Sequence, residues 1–332
     1  MGRKNISALL LLALALMATA CGTKKVSPTE SDATRLEALD LQIQRHPRRA
    51  ELLAERGQLL VKMGRAKEGL DDLRQAVKLK PEEVDYLMAL ADAYFANGNT
   101  DQSYSTLSQA EQLAPNRTDV HLKMGEITYV RRDFDRSLRS LSRVTEVEPN
   151  NRVALYMKAS IYKEKGDTAE AVTLFRRVSD LYPDYAPAYE ELGTLYATRD
   201  IDLATDYLTT ALRLDSTNTN TMYALALCHQ TAGRMEDAEA LYHRLLERNP
   251  KSADALHNLG YIELFHYKDY PRAIDYFTQA LEADGGHTAA WVNRGIAHEL
   301  AGHTTEARRD YQAALDLDPD FTPAIEGLNR TK

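Results

Sequence analysis

Apolar residues follow two patterns along the chain. Ile6 to Ala20 form an almost uninterrupted apolar run of 15 residues, and the basic residues Arg3 and Lys4 precede it. Farther along, apolar positions recur with a helical period, beginning with Leu36, Leu39 and Ile43. The pattern predicts a short apolar segment at the N-terminus, followed by a chain of amphipathic helices.

Small residues recur in this helical part at an interval of about 34 positions. The first series has steps of 34, 34, 34, 34, 33, 34 and 35 residues at Gly57, Ala91, Gly125, Ala159, Gly193, Ala226, Gly260 and Gly295. A second series, in phase with the first, consists of Pro81, Pro115, Pro149, Pro183, Ser216, Pro250, Gly285 and Pro319. Two series in phase over eight periods predict a repeated structural unit.

The repeat resembles the tetratricopeptide repeat. The repeat that fits best has Trp291, Gly295, Gly302, Ala307, Tyr311, Ala314 and Pro319. This resemblance, which covers about residues 50–321, implies an all-α fold, a right-handed superhelical solenoid of stacked helical hairpins. The predicted segments are an N-terminal half-repeat at 32–49, eight repeats at 50–83, 84–117, 118–151, 152–185, 186–218, 219–252, 253–287 and 288–321, and a short C-terminal capping helix at 322–332.

The residue types within a repeat have physical reasons. A small residue in the first helix lets the second helix approach closely, so Gly260 should leave no room for a branched side chain. Five glycines should end the first helix with a positive φ: Gly64, Gly98, Gly166, Gly233 and Gly302. Repeat five lacks one residue near Asp200 and repeat seven has one extra near Asp269, and we expect both changes in the turn between the helices.

The N-terminus predicts export. A basic start, a short apolar run and small residues at its end are typical of a signal peptide, and the run is too short to span a bilayer. Ala18-Thr19-Ala20-Cys21 resembles a bacterial lipobox, which implies cleavage of residues 1–20 and lipidation of Cys21. Cleavage after Ala20 by ordinary signal peptidase, which would leave a soluble periplasmic protein, is the alternative.

Residues 21–31 are polar and predict a flexible tether. Gly22 stands where lipoproteins of the enterobacterial type that stay in the inner membrane tend to have Asp, so the resemblance implies the outer membrane. Lys24 and Lys25 stand where an acidic run would resemble a surface-export signal. We therefore expect a lipid-anchored protein on the periplasmic face of the outer membrane, with the inner membrane or the soluble periplasm as alternatives.

The net charge bears on the class of partner, and the cysteine content on the role of Cys228. The formal charge is −8, and removal of the signal peptide changes it to −10, which argues against nucleic acid as a partner. Cys228 is the one cysteine besides Cys21, and we expect it to be a small buried residue.

Motifs of enzymes are absent from the sequence. The nine histidines include no pair at the spacing of a zinc hydrolase, and there is no phosphate-binding loop or G-x-S-x-G motif. We expect no catalysis, cofactor, metal or small-molecule substrate.

The resemblance implies that first-helix residues line a groove for partner proteins or peptides. The residues predicted to bind a partner are Tyr223, His257, Asn258, Tyr261, Asn293, Phe95, Tyr129, Asp92 and Glu126, and Glu51, Asp85, Asp119, Tyr156 and Phe265 share their helix positions. In some members of the family such asparagines bind the backbone amides of a peptide, and the carboxylates would steer a basic segment toward the groove. The positions near Ala54, Met88 and Leu122 have no cations, which argues against a clamp for a C-terminal carboxylate.

Two functions follow. The first is a periplasm-facing scaffold of an outer-membrane assembly, secretion or gliding complex. The alternative is an adaptor that recruits a periplasmic protease or peptidoglycan hydrolase to its substrate. The sequence does not separate the two.

Overall fold

A computed structural model describes residues 30–332, and this part of the chain is α-helical throughout, without a strand. The helices fall into two compact units that divide between Pro183 and Asp184. The prediction of an all-α fold of stacked helical hairpins is confirmed. The predicted signal peptide, Cys21 and all but the last two residues of the tether lie outside the described residues.

Unit 1 contains an initial helix and four helical hairpins. Its helices are α1 (Glu30–Arg45), α2 (Ala50–Lys62), α3 (Ala66–Leu79), α4 (Val84–Ala96), α5 (Thr100–Leu113), α6 (Thr118–Val130), α7 (Phe134–Val147), α8 (Arg152–Glu164) and α9 (Thr168–Leu181). Within the unit, each helix packs mainly against its neighbours in sequence. Their small and aliphatic side chains form the core, and Leu73, Leu107 and Leu141 are almost fully buried.

Unit 2 repeats this arrangement with four hairpins and a final helix. Its helices are α10 (Ala186–Tyr196), α11 (Ile201–Leu214), α12 (Thr219–Thr231), α13 (Met235–Arg248), α14 (Ala253–Ile262), α15 (Tyr270–Ala283), α16 (Thr288–Leu300), α17 (Thr304–Leu317) and α18 (Thr322–Arg330). Larger residues occupy its core, among them Tyr242, Phe277 and Tyr311, which are fully buried.

In seven of the eight hairpins, the turn between the two helices has one residue with a positive φ, and the shorter turn of repeat five, between Tyr196 and Ile201, has none. The five predicted glycines have φ between 74° and 82°, so that prediction is confirmed. Arg132 and Lys268 stand at the same place in two other hairpins, with φ of 61° and 59°. A side chain in this conformation is strained by roughly 1–2 kcal/mol, so these two turns are held by the packing around them.

The extra residue of repeat seven is not confined to the turn. The first helix changes after Ile262 into a π-helical segment, Glu263–Tyr267, which ends at Lys268. A π-helical turn absorbs one added residue within a helix and rotates the side chains that follow. The expectation that the extra residue lies in the turn is therefore wrong. The first helix of repeat seven accommodates it by widening, and Leu264 remains buried.

Candidate protein-binding surface

Three first helices of unit 2 are joined by polar contacts between their side chains. Asn258 Nδ2 on α14 donates a hydrogen bond of 3.1 Å to the Tyr223 hydroxyl on α12. His257 Nε2 on α14 lies 2.9 Å from Asn293 Nδ2 on α16. Tyr261 lies one helical turn after His257 on α14. We call Tyr223, His257, Asn258, Tyr261 and Asn293 the first-helix face of unit 2.

Tyr223 anchors one end of this face. Its ring is half-buried, with its centroid 6.0 Å from that of Tyr242, and burial raises the pKa of the Tyr223 hydroxyl. Asn258 is buried, and its hydrogen bond to Tyr223 fixes the orientation of the amide. An ordered amide between two repeats is suited to hydrogen bonding with a partner, because little side-chain entropy remains to be lost.

His257 is held as a neutral imidazole. Its ring stacks on His287, with centroids 4.7 Å apart and planes 26° apart, and it also contacts Phe277. Burial, followed by repulsion from His287, lowers the pKa of His257 to about 4. At pH 7 the ring is therefore neutral. Because Asn293 Nδ2 can only donate, His257 Nε2 is the acceptor of this hydrogen bond and the proton of the ring is on Nδ1.

Tyr261 and Phe265 form an exposed aromatic pair. Their centroids lie 4.5 Å apart, and the side chains are 40% and 45% exposed. Tyr267, at the end of the π-helical segment, is 42% exposed and donates a hydrogen bond of 3.1 Å to Glu239. A group of large, exposed apolar side chains is typical of an interaction surface, because such side chains are buried only when a partner covers them.

The predicted aromatic residues of unit 1 are less exposed. Phe95 is half-buried against an apolar cluster that includes Leu107 and Met124. Tyr129 is half-buried, with its ring 6.0 Å from that of Phe134. Tyr156 is fully buried against Phe175, so it does not line an exposed surface, because its ring fills the space inside the hairpin.

The predicted carboxylates of unit 1 are paired with cations. Lys123 Nζ lies 3.0 Å from Asp92 and 3.4 Å from Glu126, and Glu126 is buried. The other three carboxylates at these helix positions also have cationic partners: Glu51 with Lys80, and Asp85 and Asp119 with Arg117. Because each charge is compensated nearby, these residues produce a weaker field than the sequence alone indicates.

Two further sequence expectations concern cysteine chemistry and metals. Cys228 is buried, and burial raises the pKa of its thiol, which makes it unreactive. Within residues 30–332 no three His, Cys, Asp or Glu side chains are grouped as metal ligands would be. No helix in that range is long and apolar enough to cross a membrane.

Sequence reasoning missed His287 as a member of this site. His287 Nδ1 accepts a hydrogen bond of 3.2 Å from the backbone N–H of Ala290, and therefore caps the start of α16. Its Nε2 lies 3.5 Å from Asp254. The one available signal is that His stands where Asn151, Asp167 and Asn218 cap the first turns of other helices.

These helical hairpins, with a polar and aromatic face on their first helices, define a helical-repeat protein of the kind that binds other proteins. Tetratricopeptide repeat family models match residues 60–127, 153–185 and, in three overlapping segments, 189–320. The chain belongs to the tetratricopeptide repeat family. Its members serve as protein–protein interaction scaffolds.

Part of this chain is similar in sequence to curated proteins. It is 32% identical over 146 residues to superkiller protein 3 of Schizosaccharomyces pombe, a match that covers 42% of this chain and 10% of that protein. It is 25% identical over 177 residues to Hsp70-Hsp90 organizing protein 1 of Glycine max, covering 50% and 29%. These matches span less than a third of either relative.

Solved structures share the fold. A tetratricopeptide repeat protein from Parabacteroides merdae aligns with a TM-score of 0.54 at 17% identity, covering 75% of this chain and 98% of that one. The C-terminal part of a repeat protein from Cytophaga hutchinsonii aligns with a TM-score of 0.59 at 16% identity, covering 72% and 98%. YrrB, described as a TPR protein with an unusual peptide-binding site, has a TM-score of 0.50 at 20% identity and covers 58% and 99%.

Proposed function

We propose that this protein is a non-enzymatic interaction scaffold of a bacterial cell envelope, anchored by lipid on Cys21, with its repeats facing the periplasm. It would bind a partner protein or peptide on the first-helix face of unit 2, within an outer-membrane assembly, secretion or gliding complex. The observation that carries the binding role is the contact between Tyr223, His257, Asn258 and Asn293 across three repeats, beside the exposed Tyr261.

Three features support this surface. Its aromatic rings have few rotatable bonds and a polar edge, as anchor residues of interfaces do. The amides of Asn258 and Asn293 are oriented by hydrogen bonds, which favours recognition of an extended backbone. YrrB and the organizing protein, which resemble this chain, are named for peptide binding and for the organization of other proteins.

The double substitution Tyr223→Ala with Tyr261→Ala tests the surface. We expect it to abolish capture of the partner from crosslinked envelopes, because both aromatic anchors are lost while the hairpins remain. Affinity capture followed by mass spectrometry would measure the loss, and circular dichroism would show that helicity is retained. Tyr104→Ala, which removes a half-buried tyrosine from a second helix in unit 1, is the matched control. Undiminished capture by the double variant would assign these tyrosines to packing between repeats.

The substitution Cys21→Ser tests the anchor. The proposal rests on the Ala18-Thr19-Ala20-Cys21 boundary and on the need for two or more acyl chains for lasting attachment. We expect the variant to move from the detergent-extracted membrane fraction to the soluble periplasm. If it stays in the membrane fraction of cells that contain its partners but leaves it when the Tyr223 and Tyr261 substitutions are added, a partner holds it there. Retention in both cases contradicts anchoring by lipid on Cys21.

A further inference from the structure

The charge of the molecule is concentrated in one unit. Between Asp184 and Lys332 the sequence has 24 Asp and Glu residues against 13 Lys and Arg residues, a formal net charge of −11. Residues 1–183 contain 25 acidic and 28 basic residues. The acidic character of the chain therefore belongs to unit 2, the unit that contains the exposed aromatic residues.

The carboxylates near the aromatic residues of unit 2 are less completely paired than those of unit 1. Glu263 lies 2.9 Å from Arg272, whereas Glu239 and Asp254 have no Lys or Arg partner among the described residues. Asp254 lies 3.5 Å from His287 Nε2, and its side chain is largely exposed. Glu239 accepts a hydrogen bond from Tyr267. Burial and the nearby charges of Glu239, Glu236 and Glu263 raise the pKa of the Tyr267 hydroxyl. Of these three glutamates, Glu263 is compensated by Arg272, so the negative charge around Tyr267 comes mainly from Glu236 and Glu239.

Aromatic faces and carboxylates attract the same kind of group. The ring of Tyr or Phe has a negative face that binds an ammonium or guanidinium group, and the attraction strengthens where water is displaced. Tyr261 and Phe265 present such rings in a pair. In the neighbouring repeats, Leu227 stands at the position of Tyr261 and Leu300 at the position of Phe265, and both are also exposed.

We infer that the partner segment bound at this face is basic: an extended peptide segment with Lys or Arg side chains, one of which lies against the rings of Tyr261 and Phe265. This inference rests on the proposed function, because it names the chemistry of the partner at the same surface. Charge complementarity selects this occupant. A second copy of unit 2, a nucleic acid or an anionic lipid surface would each bring negative charge to an already negative unit.

Selection from a random peptide library tests the inference, because such a library offers acidic, neutral and basic segments to the surface in equal measure. The full-length lipoprotein, solubilised in detergent and immobilised, is exposed to displayed 15-residue random peptides. We expect the bound peptides to be enriched in Lys and Arg and depleted in Asp and Glu. Their affinity should fall as NaCl is raised, since an attraction between charges at an exposed surface is screened by salt.

Two substitutions at Phe265 distinguish the contribution of the aromatic ring to binding from that of apolar area alone. We expect Phe265→Leu, which retains apolar volume, and Phe265→Ala to weaken a selected basic peptide by similar amounts, about five- to tenfold. Asp254→Asn should reduce the dependence of affinity on salt. Asp135→Asn, at an exposed carboxylate on a second helix of unit 1 that Lys165 already compensates at 2.8 Å, is the matched charge control and should change neither quantity.

Each alternative outcome has a distinct meaning. Enrichment of neutral or acidic peptides whose binding requires Tyr223 and Tyr261 would contradict the inference that the partner is basic, but it would support the proposed binding surface. Basic peptides that bind the Phe265→Leu and Tyr261→Ala variants undiminished would overturn the placement at these rings. A bound pool with no enrichment over an empty support would contradict both the inference and peptide binding at this face.

Discussion

Gly260 and Phe277 meet where α14 lies against α15. A Cβ atom at position 260 would stand 2.8 Å from Phe277 Cε1, closer than non-bonded carbon atoms approach. Phe277 is fully buried, so its ring has no open space into which to move. The same relation holds between Gly295 and Tyr311, where the distance would be 2.7 Å. At the scale of single residues, an absent methyl group in one helix makes room for a ring from the next.

Substitution of Gly260 tests this relation. We expect Gly260→Val to lower the free energy of unfolding by about 1–3 kcal/mol, because the added side chain overpacks the contact with Phe277. Chemical denaturation followed by circular dichroism measures the change. Gly285→Val is the matched control, since its Cβ would meet only Leu281 O at 3.7 Å, and it should change stability by less than about 0.5 kcal/mol. Equal effects at the two positions would contradict the packing described for Gly260.

At the scale of elements, two histidines that act as hydrogen-bond acceptors connect α14 and α16. His257 accepts a hydrogen bond from Asn293 of α16, and His287 accepts one from the first turn of α16. Both roles require a ring nitrogen without a proton. Protonation of either ring therefore removes an acceptor at the junction of these helices, with Asp254 as the nearby carboxylate.

The depressed pKa of His257 predicts a loss of stability in acid. In the unfolded chain its pKa is about 6.5, whereas burial lowers it to about 4 in the folded protein. The folded state thus binds the proton less well. Its stability should fall as pH decreases below about 6.5, by up to about 2 kcal/mol at pH 5.

Thermal melts of the parent and of His257→Gln at a series of pH values measure this contribution. Glutamine can still accept a hydrogen bond from Asn293 but does not titrate, so the difference between the two proteins should narrow from pH 7 to pH 5. A difference that stays constant over this range would show that His257 does not control acid stability.

On the scale of the whole molecule, the first and last repeats have the same buried ion pair. Arg56 makes two hydrogen bonds to Asp72, and Arg294 makes two to Asp310, each between the first and second helices of a hairpin. Both aspartates are buried. In repeat six the equivalent residues are Leu225 and Leu241, which pack into the same apolar cluster. The first and last repeats thus have an ion pair at positions where repeat six has an apolar contact.

Replacing Arg294 and Asp310 with leucine, the residue at both equivalent positions of repeat six, should change the free energy of unfolding non-additively. Asp310→Leu alone should destabilise by about 3–5 kcal/mol, because Arg294 is left without its carboxylate in a mostly buried position. Asp310→Leu with Arg294→Leu should recover most of that loss, since two apolar side chains replace two desolvated charges. A double-mutant cycle of urea unfolding measures the coupling. A double variant as unstable as the sum of its single variants would contradict this explanation.

Part of the candidate surface was predictable from sequence, for a reason visible in Tyr223 and Asn258. Their positions in repeats of regular length place them on adjoining first helices, where they meet. The surroundings of Asp92 and Glu126 were not predictable. Lys123 lies near them because two helices approach at a distance that the repeat alone does not specify. His287 lies beside His257, although 30 residues separate them in the chain, for the same reason.

The sequence by itself determined the repeat, the all-α fold, the glycines that end the first helices and the close approach at Gly260. These properties depend on local backbone preferences and on contacts between consecutive helices, both of which leave a periodic pattern. Only the tertiary structure decided that repeat seven absorbs its extra residue in a π-helical segment, and that the carboxylates of unit 1 are compensated by Lys and Arg. The π-helical segment arises because core packing keeps Leu264 buried, and the ion pairs form across neighbouring helices. Neither follows from periodicity, since each depends on distances between side chains that are set when the hairpins pack.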